Sequence, residues 1–297
     1  MPIKKMERKT FIKSIIGFSA MTTLGSFKYF SDNLIEQDEL MPVLFIGHGS
    51  PMNAIEDNEF SRGWKSVAKT LPKPKAILMI SAHWETKGTY VTAMEKPQTI
   101  HDFGGFPQAL FDVYYKAEGS LWLADETKKV VTSTTIGMDT NWGLDHGAWS
   151  VLNVIYPEAN IPVIQLSLDY TQSAEYHYNL AKELAALRKK GVLIIGSGNM
   201  VHNFQYLQLR GDFNMHFGHD WALEANDTFK KLILENDYKS LINYKNYSKS
   251  FALSAPTPEH YIPLLYSIAL RNSKDKISFF NDALVAGSFS MTSVKIG

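Results

Sequence analysis

Histidines follow three short apolar runs of the sequence, each where the run ends. His48 follows Phe45-Ile46-Gly47, His83 follows Ser81-Ala82, and His202 lies shortly after Gly198-Asn199. Neutral imidazole binds Zn, Fe, Ni or Cu, and a site with two or three imidazoles keeps positions open for water or substrate. A lone histidine after a strand is more often a loop residue bonded to backbone. Two at consecutive strand ends, in a chain with only 9 histidines, favour a metal site.

A fourth candidate region is Thr257-Pro258-Glu259-His260. Thr257 followed by proline predicts the start of a helix, with Thr257 as the N-cap and Pro258 at the first position. The first turn would then hold Glu259 and His260, and either could complete a metal site. Alternatively, Glu259 merely complements the helix dipole. The chemistry of these residues does not decide between the two.

His146 lies between an acid and a glycine in Asp145-His146-Gly147. It could donate a proton or orient a substrate, or it could be a structural histidine paired with Asp145. We interpret the remaining candidates as ordinary, with His177 on a polar helix face and both His216 and His219 in a loop before a helix. No substrate-binding residue can be assigned from the pattern.

The elements that must position these side chains alternate between strands and helices. Nearly continuous apolar runs at 43–46, 76–80, 163–166 and 192–195 are typical of strands buried on both faces of a parallel sheet. Helical spacing predicts helices over 60–71, 174–190 and 220–235. We therefore predict a single α/β domain with a largely parallel central sheet flanked by helices. Its active site should lie at the carboxyl ends of the strands, where side chains from distant segments converge.

The segment 99–115 is rich in glycine, proline and aromatic residues and contains His101-Asp102-Phe103-Gly104-Gly105-Phe106-Pro107. It predicts an irregular loop, and loops of this length in compact domains are commonly functional. The alternative is that the loop only covers an edge of the sheet.

Composition narrows the function classes. The 297 residues carry 30 Lys+Arg and 30 Asp+Glu, so no net field attracts a polyanion and we expect no nucleic-acid partner. The chain has no cysteine, which excludes thiolate ligands and a cysteine nucleophile. It also lacks the Gly-x-Ser-x-Gly, Walker, dinucleotide-binding and His-Glu-x-x-His motifs. Any bound metal must use His, Asp or Glu.

The first forty residues differ from the rest. Basic residues precede an apolar stretch at 11–27 that is too short and too interrupted to span a bilayer. We interpret 1–40 as a leader or disordered N-terminal extension, and 41–297 as the catalytic domain. The segment around Arg8-Lys9 is similar to a degenerate twin-arginine signal, so both cytoplasmic and exported locations stay open.

Taken in order, the motifs around His48, His83, His101-Asp102, His146, His202 and Glu259-His260 resemble the DOPA 4,5-dioxygenase branch of the class III extradiol ring-cleavage dioxygenases. The resemblance covers essentially all of 41–297. It implies an enzyme that inserts dioxygen into the ring of a DOPA-like catechol at a histidine-bound non-haem metal.

The resemblance also implies roles for individual residues. His48 and His83 match metal ligands, and the third ligand comes from the Glu259-His260 motif, with His260 preferred and Glu259 as runner-up. His202 matches the acid–base histidine and is a possible fourth ligand, while His146 matches a second histidine near the substrate. The implied metal is Fe(II), with Zn(II) as the alternative.

Two other functions compete with this hypothesis. A three-histidine ligand set would also suit a zinc-dependent hydrolase. The same fold could instead serve a non-catalytic protein that binds an aromatic ligand. The sequence does not disclose the physiological catechol, the choice between 2,3 and 4,5 cleavage, or the oligomeric state.

Overall fold

The four parallel strands of the central sheet send alternate side chains to two separate apolar cores. In the computed structural model, which describes residues 40–297, the first strand, β1 (Val43–Gly47), is buried along its whole length. Val43 and Phe45 face one core, and Leu44 and Ile46 face the other. Burial on both faces explains why the strands are continuously apolar instead of alternating. The prediction for residues 1–40 falls, except for Leu40, outside the described residues.

The sheet has six strands. Four neighbours are parallel: β6 (Val163–Gln165), β2 (Ala76–Ser81), β8 (Val192–Gly198) and β1, in that spatial order. The chain then adds β12 (Ser293–Ile296) antiparallel to β1 and β9 (Ile277–Phe280) antiparallel to β12. The predicted largely parallel sheet is confirmed, with an antiparallel pair at one edge.

Short strands form three small two-stranded sheets outside the central one. They are β3 (Glu85–Thr86) with β7 (Leu168–Asp169), β4 (Thr89–Thr92) with β5 (Ile136–Asp139), and β10 (Leu284–Val285) with β11 (Phe289–Ser290).

Helices cover both faces of the sheet. In chain order they are α1 (Glu59–Ala68), α2 (Gln108–Phe111), α3 (Leu121–Val130), α4 (His146–Ile155), α5 (Ala174–Glu183), α6 (Ala185–Lys189), α7 (Asp220–Glu235), α8 (Tyr238–Ile242), α9 (Tyr244–Tyr247), α10 (Lys249–Ser254) and α11 (Ile262–Ala269). Within residues 40–297, no helix combines the length and apolar character needed to cross a membrane.

Three predicted helices differ in their bounds. The helix predicted over 60–71 corresponds to α1, which ends at Ala68. The helix predicted over 174–190 is divided at Leu184, which ends α5 and begins α6. The helix predicted to start at Pro258 begins only at Ile262, after a turn in which the Ile262 amide donates to the Pro258 carbonyl. Thr257 does not cap it, because its hydroxyl donates to Glu259 Oε1 at 2.8 Å.

Candidate active site

Three adjacent strands deliver three histidines to one edge of the sheet. β2, β8 and β1 are neighbours, and His83, His202 and His48 follow their carboxyl ends. Gly49 has a φ of +58°, so the chain turns sharply after His48, in a conformation that favours glycine. At Gly147 a Cβ atom would lie 2.8 Å from His83 Cδ2, so glycine there lets α4 approach the His83 ring. The expected convergence at the strand ends is confirmed.

Five histidines meet at this edge: His48, His83, His146, His202 and His260. We call them the imidazole cluster. The ring centroids of His48, His83 and His260 form a nearly equilateral triangle with sides of 5.2, 5.0 and 5.4 Å. The structure thus brings together every histidine that the sequence singled out as a site residue.

Hydrogen bonds fix the tautomer of His48. The Ser197 hydroxyl donates to the Gly147 carbonyl at 2.6 Å, so its oxygen is free to accept from His48 Nδ1 at 3.0 Å. With the proton on Nδ1, Nε2 of His48 carries a lone pair. Ser197 of β8 therefore holds His48 in the tautomer whose Nε2 can bind a metal.

His260 is arranged in the same way by its sequence neighbour. The Nδ1 atom of His260 lies 3.0 Å from Glu259 Oε1, and a carboxylate can only accept, so Nδ1 is the donor and Nε2 has a lone pair. Metal-bound histidines commonly donate their second N–H to a carboxylate in this way. His260 and Glu259, the two predicted candidates for the third metal ligand, are therefore in direct contact with each other.

The separation between His48 and His83 fits a shared cation. Their Nε2 atoms are 3.3 Å apart. Two nitrogens that each lie 2.0–2.1 Å from one ion would be about 2.8 to 3.0 Å apart at octahedral angles and about 3.3 to 3.4 Å apart at tetrahedral angles. Groups of possible ligand atoms also occur at His48, His83 and His146, and at His202, Glu259 and His260. The donor set of this edge therefore suits a metal that prefers imidazole nitrogen.

His146 pairs with Asp102 of the 99–115 loop, so the expectation that this loop is functional is supported by contacts. Its Nδ1 lies 2.9 Å from Asp102 Oδ2, and its backbone amide donates to Asp102 Oδ1 at 2.8 Å. The alternative pairing with Asp145 is wrong. Asp145 instead caps α4 and accepts a hydrogen bond from the Ser81 hydroxyl at 2.6 Å.

Burial lowers the pKa of four rings of the cluster, those of His48, His83, His202 and His260, and keeps them neutral at physiological pH. Burial and the neighbouring imidazoles lower the pKa of His83 to about 3, and burial lowers the pKa of His202 to about 4. The same causes hold the pKa values of His48 and His260 well below the ordinary histidine value. Burial alone would raise the pKa of Asp102, but its hydrogen bond to His146 lowers it. Neutral imidazoles are the form that binds metals.

His202 differs from the other members of the cluster. Its ring stacks on His260 with a centroid distance of 3.5 Å and an interplanar angle of 6°. Among residues 40–297, no hydrogen bond holds either of its ring nitrogens. His202 is therefore free to exchange a proton with a bound molecule.

The three histidines interpreted as ordinary lie outside the cluster, but one prediction about them is wrong. His177 is buried and not on a polar face, and its ring contacts the Tyr266 hydroxyl at 3.1 Å and the Asp169 carbonyl at 3.2 Å. His216 Nε2 lies 2.7 Å from Glu59 Oε1, and His219 precedes α7 as its N-cap residue.

Sequence reasoning missed two side chains that hold the cluster. Asp102 belongs to a motif of the 99–115 loop without a predicted role, and Ser197 has no predicted role at all. Both positions follow from contacts between distant segments, which no local spacing reveals. A serine directly inside a strand that ends near predicted ligands was the one available signal for Ser197.

Comparison with known proteins agrees with this geometry. The family described as "Catalytic LigB subunit of aromatic ring-opening dioxygenase" matches residues 42–282. The chain belongs to the LigB family. Members of this family use a non-haem metal bound by histidines, and the chain is a metal-dependent aromatic ring-opening dioxygenase, an oxidoreductase that acts on a small molecule with dioxygen.

Similar proteins include several named after the same activity. The chain is 44% identical to a "4,5-DOPA dioxygenase extradiol" of Escherichia coli K12 over 89% of this chain and 98% of the relative. It is 34% identical to a "4,5-DOPA dioxygenase extradiol" of Beta vulgaris over 87% of this chain and 97% of that relative. The crystal structure of the uncharacterised protein JW3007 from Escherichia coli K12 has 39% identity and a TM-score of 0.75, covering 86% of this chain and all of that one.

These findings confirm the extradiol dioxygenase resemblance and the predicted fold. The zinc-dependent hydrolase and the non-catalytic binding protein are not favoured, because the relatives are dioxygenases over nearly their whole length.

Proposed function

We propose that this LigB-family enzyme cleaves a DOPA-like catechol at an Fe(II) ion held by His48, His83 and His260. The observation that carries the ligand set is the triangle of these three rings, together with the 3.3 Å separation of two Nε2 atoms. Residues 41–297 form the catalytic domain in this proposal.

Iron suits the reaction better than zinc. Imidazole nitrogen binds both metals, so the donor set alone does not choose. Ring opening by dioxygen moves electrons between the catechol and the oxygen, and Zn²⁺ has no redox chemistry. When bound, Fe(II) would bring the two reactants together and conduct electrons between them.

The protein's own groups would handle the proton. A catechol must lose a proton to bind a cation through both oxygens, and His202 has a neutral ring with unengaged nitrogens next to His260. Asp102 would keep the His146 ring oriented toward the substrate. Insertion of oxygen beside one hydroxyl, and not between the two, gives a ring-opened semialdehyde.

One substitution distinguishes the two possible roles of His202, proton transfer and metal ligation. His202→Ala should retain the metal but reduce turnover by about 10² to 10⁴-fold, because general acid–base catalysis contributes that much. Metal content per chain and turnover should be measured on the same preparation. Loss of the metal would instead assign His202 to the ligand set.

The choice of substrate is supported by the names of the relatives, which specify DOPA and 4,5 cleavage. We infer the same regiochemistry for this chain.

A reconstitution experiment tests the proposal. The full chain is loaded anaerobically with Fe(II), mixed with DOPA, and exposed to air. We expect a yellow product, one O₂ consumed per ring opened, and an NMR spectrum that identifies the 4,5-cleaved semialdehyde. Zn(II)-loaded protein is the control and should leave DOPA intact. Absence of oxygen uptake with DOPA and a broad panel of catechols would refute the proposed function.

A further inference from the structure

A cavity of about 270 Å³ lies next to the imidazole cluster. Glu259 belongs to both: it lines the cavity, and its carboxylate lies within 4.8 Å of ring nitrogens of His202 and His260. The cavity is smaller than pockets that enclose a whole drug-sized ligand. Its size suits a short side chain on a molecule whose ring lies at the cluster.

The charged groups around the cavity are mostly acidic. They are Glu85, Asp169, Glu259 and one cation, Lys245. Asp169 is engaged internally, because its Oδ1 accepts hydrogen bonds from the Thr171 hydroxyl and amide. In the part of the chain that the structure describes, no lysine or arginine forms an ion pair with Glu85 or Glu259. Two carboxylates that share a cavity and form no ion pair with a lysine or arginine favour a cationic ligand.

Tyr244 gives an independent indication that a polar ligand belongs here. The residue lines the cavity and is only 3% exposed, yet its hydroxyl has no hydrogen-bond partner among residues 40–297. Burial and the negative charge of Glu259 raise the pKa of Tyr244, so the hydroxyl stays neutral. A buried hydroxyl without a partner costs stability unless a ligand or water satisfies it.

We propose that this cavity binds the ammonium group of the substrate, so that the enzyme prefers catechols with a cationic side chain. An ammonium has three N–H donors and no acceptor. Glu85, Glu259 and Tyr244 all line this space, and their side chains carry oxygen atoms that can accept hydrogen bonds from an ammonium. The inference rests on the proposed function, because the ring must lie at the imidazole cluster for its side chain to enter the cavity.

A series of catechols that differ mainly in side-chain charge tests the subsite in the Fe(II)-loaded full chain. The compounds are dopamine, 4-methylcatechol and 3,4-dihydroxyphenylpropionate, which are cationic, neutral and anionic. We expect kcat/KM to be about tenfold higher for dopamine than for the anionic compound, mainly through KM. Equal constants for all three would overturn the subsite and leave the proposed function intact.

Binding of uncleavable phenols separates the subsite from catalysis. Calorimetry should show tighter binding of tyramine than of 3-(4-hydroxyphenyl)propionate, again by about tenfold. If no catechol is turned over but tyramine still binds preferentially, the proposed function fails and the subsite stands. If the two phenols bind equally, the subsite is refuted whatever the turnover.

Two variants identify the residues responsible. Glu85→Gln and Tyr244→Phe should each weaken tyramine binding by about threefold to tenfold and lower the dopamine to 4-methylcatechol ratio of kcat/KM. Tyr244→Phe should not lower the melting temperature, since it removes a hydroxyl without a partner. Glu158→Gln, at an exposed acid outside the cavity lining, should bind tyramine like the wild type. Wild-type tyramine affinity in both cavity variants would overturn the assignment.

Discussion

Two buried polar groups lie at opposite ends of the central sheet: the Arg188–Asp275 ion pair near the start of β1, and the imidazole cluster beyond its end. Arg188 is 1% exposed and donates to both Asp275 carboxylate oxygens and to the carbonyls of Met41 and Leu270, at 2.7 to 3.0 Å. The guanidinium and the carboxylate neutralise each other. At this end of the sheet the two buried charges are partnered within the protein.

The imidazole cluster has the opposite character. Its rings are buried against one another, and the nitrogen atoms of His48 and His83 face each other at 3.3 Å. In the absence of a cation the two nitrogens can share one proton in a hydrogen bond, and burial keeps the His48 and His83 rings neutral. The buried charges at one end of the sheet are thus paired with each other, whereas the buried imidazole nitrogens at the other end can bind a cation.

The largest effect should come from removing a proposed ligand. His48→Ala or His83→Ala should abolish metal retention and reduce ring cleavage by more than about 100-fold, because each loses a nitrogen that faces the proposed ion. The free energy of unfolding of the metal-free protein should stay within about 2 kcal/mol of the wild type, because the lost ring makes only one or two hydrogen bonds within the protein, each worth about 1 kcal/mol. Metal analysis and urea denaturation measure the two quantities. Wild-type metal content in either variant would contradict the proposal that the imidazole cluster, unlike the ion pair at the other end of the sheet, binds a metal.

At the other end of the sheet, Arg188→Ala should destabilise the protein by about 3–5 kcal/mol, because it leaves the Asp275 carboxylate buried and unpaired. The folded fraction should bind metal like the wild type. Arg62→Ala is the matched control, since Arg62 pairs with Asp57 in solvent and should contribute less than about 1 kcal/mol. Equal urea midpoints for the two variants would contradict this prediction.

A smaller effect is expected at Glu259. Glu259→Gln should weaken metal binding by about 10 to 100-fold without abolishing it, because an amide oxygen accepts less strongly from His260 Nδ1 than a carboxylate does. Titration with a competing chelator gives the affinity, and Thr257→Val, which removes the other hydrogen bond to the same oxygen, is the control. A complete loss of metal, as in His48→Ala, would make Glu259 a ligand.

The smallest effect is a pH dependence at the ion pair. Burial alone would raise the pKa of Asp275, but its hydrogen bonds to Arg188 and to the Asn272 amide lower it. Because the folded pKa lies below the unfolded value of about 3.9, the carboxylate stabilises the protein above that pH and stops doing so as the pH falls through the folded pKa. The stability difference between wild type and Asp275→Asn should therefore shrink below about pH 4. A difference that stays constant from pH 7 to 3 in urea denaturation would refute the assignment.

Much of the arrangement was predictable because strand burial leaves a strong signal. The runs at 43–46 and 192–195 are apolar on both faces, and the histidines after such runs had to meet at one edge of a parallel sheet. Relative positions of β1, β2 and β8 followed only from the structure, but any order would have kept the three histidines on the same edge.

One failure came from a competing local hydrogen bond, and two depended on contacts between segments far apart. Thr257 has the local pattern of an N-cap, yet its hydroxyl binds Glu259, which in turn holds His260. Asp102 reaches His146 across 44 positions, and the Tyr266 hydroxyl draws His177 into the interior. Local propensity contains no information about such partners.

The position of β1 constrains how the enzyme acquires its active site during synthesis. This first strand pairs with β8 on one side and β12 on the other, so its neighbours follow it by well over 100 residues along the chain. Such non-local pairing slows folding, because the entropy cost of closing long loops must be met before the stabilising strand contacts form. His48 therefore emerges early from the ribosome, but its surroundings cannot assemble until translation is nearly complete.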